Sequence, residues 1–414
     1  MPLRRPWALG GMYFYFGPFL NELPFIAFYW ILAWTALAFS EGDINSSGGW
    51  GVFGLAGVTT AGLVVVTVRA RRARPAVGRA LDIGLGAGWR GFIEAGVAAR
   101  LHHRPPFARI LFWPFPVRPR AVERVANIRY GDAGRRNSLD VYRHHSHPSG
   151  GPVLVHLHGG HFNSGRKSHE SRPLLYRLAS QGWVCISANY RLSPAARFPD
   201  PLIDIKKVIA WVREHGHEYG ADPAAVFVAG SSAGGHLAAS AALTPNDAAF
   251  QPGFEDADTS VTAAISLYGY YGAVDEAAGV PSSPVAYVGS DAPPFFVAHR
   301  NRDTLTPVEG ARLFAERLRS TSSNPVVYAE LPGGAACVRP VPFPLLRDGN
   351  RRNRRLHRLG EIAMRSGPTR EGMVGRCFGL AAAATTRVTC GCHVGSRGSG
   401  GSRLSPRRPP TLPA

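Results

Sequence analysis

At 414 residues the chain exceeds one domain of ordinary size, and with 45% hydrophobic and only 18% charged residues it is not a wholly disordered polymer. The formal charge of +19 raises a nucleic-acid partner, but residues 335–414 alone hold fifteen Arg against Asp348, Glu361 and Glu371, and no basic stripe interleaved with aromatics crosses the middle; that distribution argues against nucleic acid. Five cysteines in so long a chain are not a disulfide framework: Cys185 sits in an apolar run, and Cys377, Cys390 and Cys392 lack the spacing and companion histidines of a zinc site, so no metal or cofactor is expected.

The chain opens with two apolar runs. Leu23 to Ser40 gives eighteen uncharged residues, barely enough to span a bilayer, and Ile44 to Val68 gives twenty-five, comfortably enough. Arg4 and Arg5 precede the first run, Arg69, Arg71, Arg72 and Arg74 follow the second, and Glu41 and Asp43 lie between them. The excess of positive charge at both outer ends predicts a helical membrane hairpin over 1–75 with both ends, and the domain that follows, cytoplasmic. Ala36-Leu37-Ala38 resembles a signal-peptide cleavage site, but the stretch before it is long for such a signal and a second apolar run follows at once. Residues 76–121, broken by Pro105-Pro106 and Pro114-Phe115-Pro116, read as a linker suited to a membrane surface.

From about 122 to 334 short apolar runs alternate with helical periods. Val153 to His158, Val184 to Ala188, Val226 to Ala229, Ala263 to Leu267, Phe295 to His299 and Val326 to Glu330 predict buried strands. Leu202 to Glu214, Gly235 to Leu243 and Val308 to Leu318 predict helices. The alternation implies an α/β fold with a doubly wound, mostly parallel sheet.

Within this region Gly230-Ser231-Ser232-Ala233-Gly234-Gly235 lies between the strand Val226–Ala229 and a helical run. Small neighbours allow a serine to take a strained turn, and the helix start favours developing negative charge, so Ser232 is the candidate nucleophile. Upstream, the strand ending at His158 runs into Gly159, Gly160 and His161, whose amides, with that of Ala233, are the candidate oxyanion donors. His156, His158 and His161 also suggest a metal cluster, but no carboxylate accompanies them. Downstream, Asp303 follows the run 293–299 in a loop where a carboxylate can orient a histidine.

Taken in this order, the His-Gly-Gly segment 158–160, the segment Asn189 to Pro194, the Gly-x-Ser-x-Gly-Gly segment 230–235 and Asp303 make residues 122–334 resemble the bacterial esterases and lipases of the hormone-sensitive-lipase type, in the α/β-hydrolase superfamily. The resemblance implies a carboxylic-ester hydrolase working through an acyl-enzyme on Ser232, with small-molecule or lipid ester substrates. Two positions depart from it. His299-Arg300 stands where His-Gly is usual, at a cost of about 1 kcal/mol if the turn needs positive φ. His161 stands where glycine is common, which keeps the backbone donor and narrows the pocket. The short stretch from Gly272 to Asp291 implies an open site for small or medium acyl groups.

The resemblance also implies a histidine just after Gly333, and none is there: the chain runs Gly334-Ala335-Ala336-Cys337-Val338-Arg339-Pro340, with His357 next. Serine is a weak nucleophile without a base. Synonymous codons for 335–340, read one base on, spell Gln-His-Ala-Phe-Asp, and the same frame over 350–359 accommodates an amphipathic helix. After Gly334 the chain also loses hydrophobic periodicity and turns Gly, Arg and Pro rich. Residues 335–414 are therefore expected to be an out-of-frame, disordered tail, and the triad histidine expected near Ala336 is missing. The competing expectation is a catalytically inactive membrane or binding protein built on the same fold.

Overall fold

A computed structural model of the chain describes residues 24–42, 47–71, 73–92, 118–275, 279–303, 305–334 and 378. Its helices are α1 (Pro24–Ser40), α2 (Ser47–Arg71), α3 (Ala73–Leu85), α4 (Arg172–Ala179), α5 (Asp200–His215), α6 (Ala233–Leu243) and α7 (Val308–Thr321). Its strands are β1 (Val122–Arg129), β2 (Ser138–His144), β3 (Gly151–Leu157), β4 (Val184–Ala188), β5 (Ala221–Ser231), β6 (Ala263–Leu267), β7 (Phe295–Arg302) and β8 (Val326–Gly334).

The eight strands form one sheet in the order β1-β2-β4-β3-β5-β6-β7-β8. Only β2 runs against the rest: it pairs antiparallel with β1 and β4, and the remaining pairs are parallel. Every residue of β4 and β6 is buried, the consequence of covering both faces of a parallel sheet and the reason these strands read as unbroken apolar runs. One face carries α5, α6 and α7, with Val153, Val155, Val226, Val228 and Phe295 meeting Leu202, Ile205, Leu237 and Phe314. The other carries α3 and α4, with Leu154, Phe227, Phe296 and Val327 meeting Val77, Leu81, Leu174 and Leu175.

Two expectations are corrected here. The residues taken as a linker begin with α3, which docks on β8 so closely that a Cβ at Gly84 would lie 2.7 Å from Val327 Cγ2. Val77, Ala80 and Leu81 recur at helical spacing and are buried by that docking. The second correction concerns the anchor. α1 and α2 pack together, but among the described residues only α2 is long and apolar enough to cross a membrane. α1 begins at Pro24 and has 17 residues, about 26 Å at 1.5 Å per residue, short of a hydrocarbon core of roughly 30 Å. Among the described residues there is thus one helix of spanning length rather than two.

β8 ends at Gly334. The positions expected to carry the missing histidine and the altered tail lie outside the described residues, apart from Phe378, whose ring is buried 5.9 Å from that of Phe296.

Candidate active site

β5 is buried from Ala225 to Ser231 and passes into α6 through Ser232, which takes φ 53 and ψ −117. A side chain in that region costs of order 1–3 kcal/mol and persists only where the surroundings dictate it. They do so here: the Ser232 amide donates to the Leu267 carbonyl at 2.9 Å, and its own carbonyl accepts from the His236 amide at 3.0 Å. The flanking glycines are required by close approach, since a Cβ at Gly230 would lie 2.1 Å from the Gly234 carbonyl oxygen and one at Gly234 would lie 2.2 Å from that of Leu157. Ala233 is the first residue of α6, where amides lack an intrahelical acceptor and the helix dipole is positive.

Beside this turn, the chain leaves β3 through His158 and curls back on itself. Gly160 has φ 131, and its carbonyl accepts from the amides of Asn163 and Ser164 at 3.1 and 3.0 Å. His161 and Phe162 also have positive φ, at 52 and 59. The segment Asn189 to Pro194 holds this loop from below: the Tyr190 hydroxyl donates to the His158 carbonyl at 2.7 Å, the Tyr190 and His158 rings stack at 4.4 Å, and the Ser193 amide donates to Phe162 at 2.8 Å. The segment is fixed in turn by Arg191, which pairs with the buried Asp204 at 2.9 Å.

The loop amides do not all point into the site. The Gly159 amide donates to Glu170 Oε2 at 3.1 Å, and the same oxygen accepts a hydrogen bond from Ser231 Oγ. Gly159 still matters through its missing side chain, because a Cβ there would stand 3.3 Å from Ser232 Cβ. Neither Glu170 nor Ser231 stood out in the sequence; no spacing rule links a loop carboxylate to a serine 61 positions later. His236 was also overlooked. Its Nδ1 bonds the Tyr270 carbonyl at 2.8 Å and its ring lies edge-on to Phe162 at 5.4 Å.

Asp303 sits in the loop after β7. Its Oδ1 accepts from the amides of Leu305 and Thr306 at 2.9 and 3.0 Å, while its buried Oδ2 has no hydrogen-bond partner among the described residues. A ladder of bonds ties this loop to the serine turn: Ser232 to Leu267, Tyr268 to Ala298 at 2.7 Å, and Thr306 Oγ1 back to the Tyr268 carbonyl at 3.3 Å. His299 approaches Asp303 Oδ2 to 3.9 Å, but its Nε2 bonds the Thr306 carbonyl at 2.7 Å, and burial holds its pKa below the usual value. Arg300 needs no positive φ; it continues β7, so the expected cost of replacing glycine there does not arise.

His156 and His158 are core residues, pushed down by burial to about 3 and about 4, while His161 is exposed on the loop. Among the described residues no three His, Cys, Asp or Glu side chains gather as metal ligands.

Comparison with known proteins gives one consistent result. The family model described as BD-FAE matches residues 139–278. In Mycobacterium tuberculosis, the probable carboxylic ester hydrolase LipM is 39% identical over 309 residues, covering 67% of this chain and 70% of that protein. Esterase LipC of the same organism is 37% identical over 276 residues, covering 58% of this chain and 68% of LipC. Esterase LipQ is 40% identical over 245 residues, covering 53% and 58%.

Proposed function

Because the chain belongs to the carboxylic ester hydrolases of the α/β-hydrolase superfamily, we propose that it cleaves esters through an acyl-enzyme formed on Ser232. The observation that carries this reading is the turn at Ser232, held at positive φ by neighbours that tolerate only glycine at 230 and 234. The Ser232 oxygen bonds to the ester carbonyl carbon, and the bond from that carbon to the alcohol oxygen breaks as the alcohol takes up the serine proton and leaves. Water then hydrolyses the acyl-serine to the acid and free Ser232. The oxyanion that develops is met by the amides of Ala233, Gly160 and His161, donors of a kind worth about 3–4 kcal/mol each in the transition state. Gly159 contributes clearance for the serine rather than a donor, since its amide is engaged by Glu170.

Asp303 is the acid of this reading, and its unpartnered Oδ2 is the acceptor left for a histidine N–H. His299 is a poor base because its Nε2 is committed to Thr306. The base belongs just beyond Gly334, near Ala336, and the chain as it stands holds none there. We take residues 335–414 as an out-of-frame tail and the enzyme as impaired for want of that histidine. The substrate is a small-molecule or lipid ester, and no cofactor takes part.

We also take α1 and α2 as a membrane anchor, with the hydrolase body on the cytoplasmic side. What supports this is the length of α2 and the exposure of Trp30, Trp34, Phe39, Trp50, Val52 and Leu55.

The test is hydrolysis of a short-chain aryl ester by the chain with its reading frame corrected by one base near codon 334, so that the base is present, and by the Ser232→Ala variant of that corrected chain. Loss of hydrolysis in the variant, with an unchanged melting curve, is expected; undiminished activity overturns the assignment.

A further inference from the structure

The direction of α3 along the sheet relates the candidate site to the membrane. Gly84, near the end of α3, abuts the start of β8: a Cβ there would lie 3.0 Å from the Val326 carbonyl oxygen and 2.7 Å from Val327 Cγ2. Val77, Ala80 and Leu81 share one apolar cluster with Val327, Ala329 and Leu331. The helix therefore runs antiparallel to β8, and its first residue, Ala73, lies toward the strand's carboxyl end. α2 stops at Arg71 and touches β8 itself.

The parallel strands β3, β5, β6, β7 and β8 send their carboxyl ends to one edge of the sheet. Ser232, the loop 159–161 and Asp303 all follow such ends. The apolar helices thus leave from the edge that carries the candidate site. The unbroken uncharged run of α2 ends at Val68, five positions before Ala73, so the apolar stretch begins roughly 8 Å from the start of α3.

We propose that the mouth of the site faces the bilayer, and that the enzyme takes an ester carried by a lipid, with its acyl or alcohol part in the leaflet, directly from the membrane. This rests on the reading of Ser232 and Asp303 as the site and of α1 and α2 as the anchor. The bilayer is the occupant of the exposed faces of α1 and α2 because α2 is uncharged from Ser47 to Val68 and exposes Trp50, Val52, Phe53, Leu55, Val58 and Val64 to its surroundings. The stretch 272–291, between β6 and β7, contains no helix longer than the four-residue turn Pro284–Tyr287 among its described residues. A membrane surface against the mouth limits water access there.

The experiment uses the full chain in vesicles of phosphatidylcholine and phosphatidylglycerol, with Cys337, Cys377, Cys390 and Cys392 replaced by serine and Cys185 left in the core. A fluorophore is attached at Asn163→Cys, in the loop after β3, or at Asp256→Cys, in the loop before β6; both positions are exposed. Phospholipid carrying a headgroup nitroxide is expected to quench the Asn163 label at least threefold more than the Asp256 label. Equal or reversed quenching overturns the orientation while leaving the anchor intact. Failure to float with the vesicles overturns the anchor, and the inference with it. In the same vesicles the chain with the one-base correction near codon 334 is expected, after subtraction of the rate of its own Ser232→Ala variant, to show a kcat/KM for a bilayer-embedded decanoyl aryl ester at least tenfold above that for a soluble acetyl ester. Preference for the soluble ester overturns the substrate class, and no rate above Ser232→Ala for either overturns the esterase reading beneath it.

Discussion

Glu170 and Gly159 are joined by a hydrogen bond of 3.1 Å from the glycine amide to Oε2, and that oxygen also accepts from Ser231, the residue before the candidate nucleophile. One carboxylate oxygen thus couples the loop proposed to hold the oxyanion to the turn proposed to hold the attacking oxygen. Bonds to a charged acceptor are worth more than neutral ones. Glu170→Ala is expected to lower stability by about 1–3 kcal/mol, and to lower kcat more than it raises KM, because misplaced oxyanion donors cost transition-state binding first. Glu170→Gln, which keeps one acceptor, should fall between. Denaturant unfolding and steady-state kinetics on an aryl ester check both; an unchanged kcat in Glu170→Ala removes the coupling.

Gly230→Ala and Gly234→Ala should each lose about 3 kcal/mol or more, since their Cβ atoms would meet backbone oxygens at 2.1 and 2.2 Å that no side-chain rotation relieves. Gly253→Ala, at a positive φ of 80 but with open space around it, should cost only the backbone strain, about 1 kcal/mol. Melting temperatures of the three variants settle the order. If Gly234→Ala proves as mild as Gly253→Ala, the turn is looser than described.

Acid stability follows from three buried histidines. Burial pushes His156 to about 3, and His158 and His236 to about 4, against an ordinary 6.5. In each, the folded state resists a proton that the unfolded state accepts, so stability is intact above pH 6.5 and falls as the pH drops from 6.5 toward 4. With all three acting, the slope approaches three protons, about 4 kcal/mol per pH unit. His156→Leu, at a ring with both nitrogens unpartnered, should flatten the slope by one proton. Unfolding free energies at pH 7, 6 and 5 measure it, and an unchanged slope in the variant refutes the assignment.

The chain end gives the sharpest comparison. With Ser232 and Asp303 present and no base, the remaining catalysis should stay about 10³ to 10⁴ above water and far below a working enzyme. A one-base correction near codon 334 should restore Gln-His-Ala-Phe-Asp beside the free Asp303 Oδ2, together with an amphipathic helix, so kcat/KM and melting temperature should rise together. Expression of both versions tests this. If the uncorrected chain matches the corrected one in both measures, His161 or His357 serves as base and the frame reading fails.

Much of this arrangement was legible because the chemistry is local in sequence. β4 and β6 end where their apolar runs end, and the serine turn is spelled out by consecutive small residues. β1 was harder, because the irregularity between Val125 and Ile128, with Asn127 at φ 62 and its amide bonded to Asp140, breaks the strand's period. α3 was taken for a linker because its apolar face is short and its partner, β8, lies far along the chain. Glu170 was invisible for the same reason: only the fold brings it to Gly159 and Ser231.

That pairing of α3 with β8 also has a temporal side. About 240 positions separate the end of the helix from the start of the strand that buries Val77 and Leu81. At roughly 5–20 residues per second, a ribosome delivers the strand tens of seconds after the helix has emerged. During that interval the apolar face of α3 has no sheet to cover it, while the hydrophobic segment just before it is already available to the bilayer. The membrane surface is the shelter within reach, so the order of synthesis favours anchoring first and closing the sheet last.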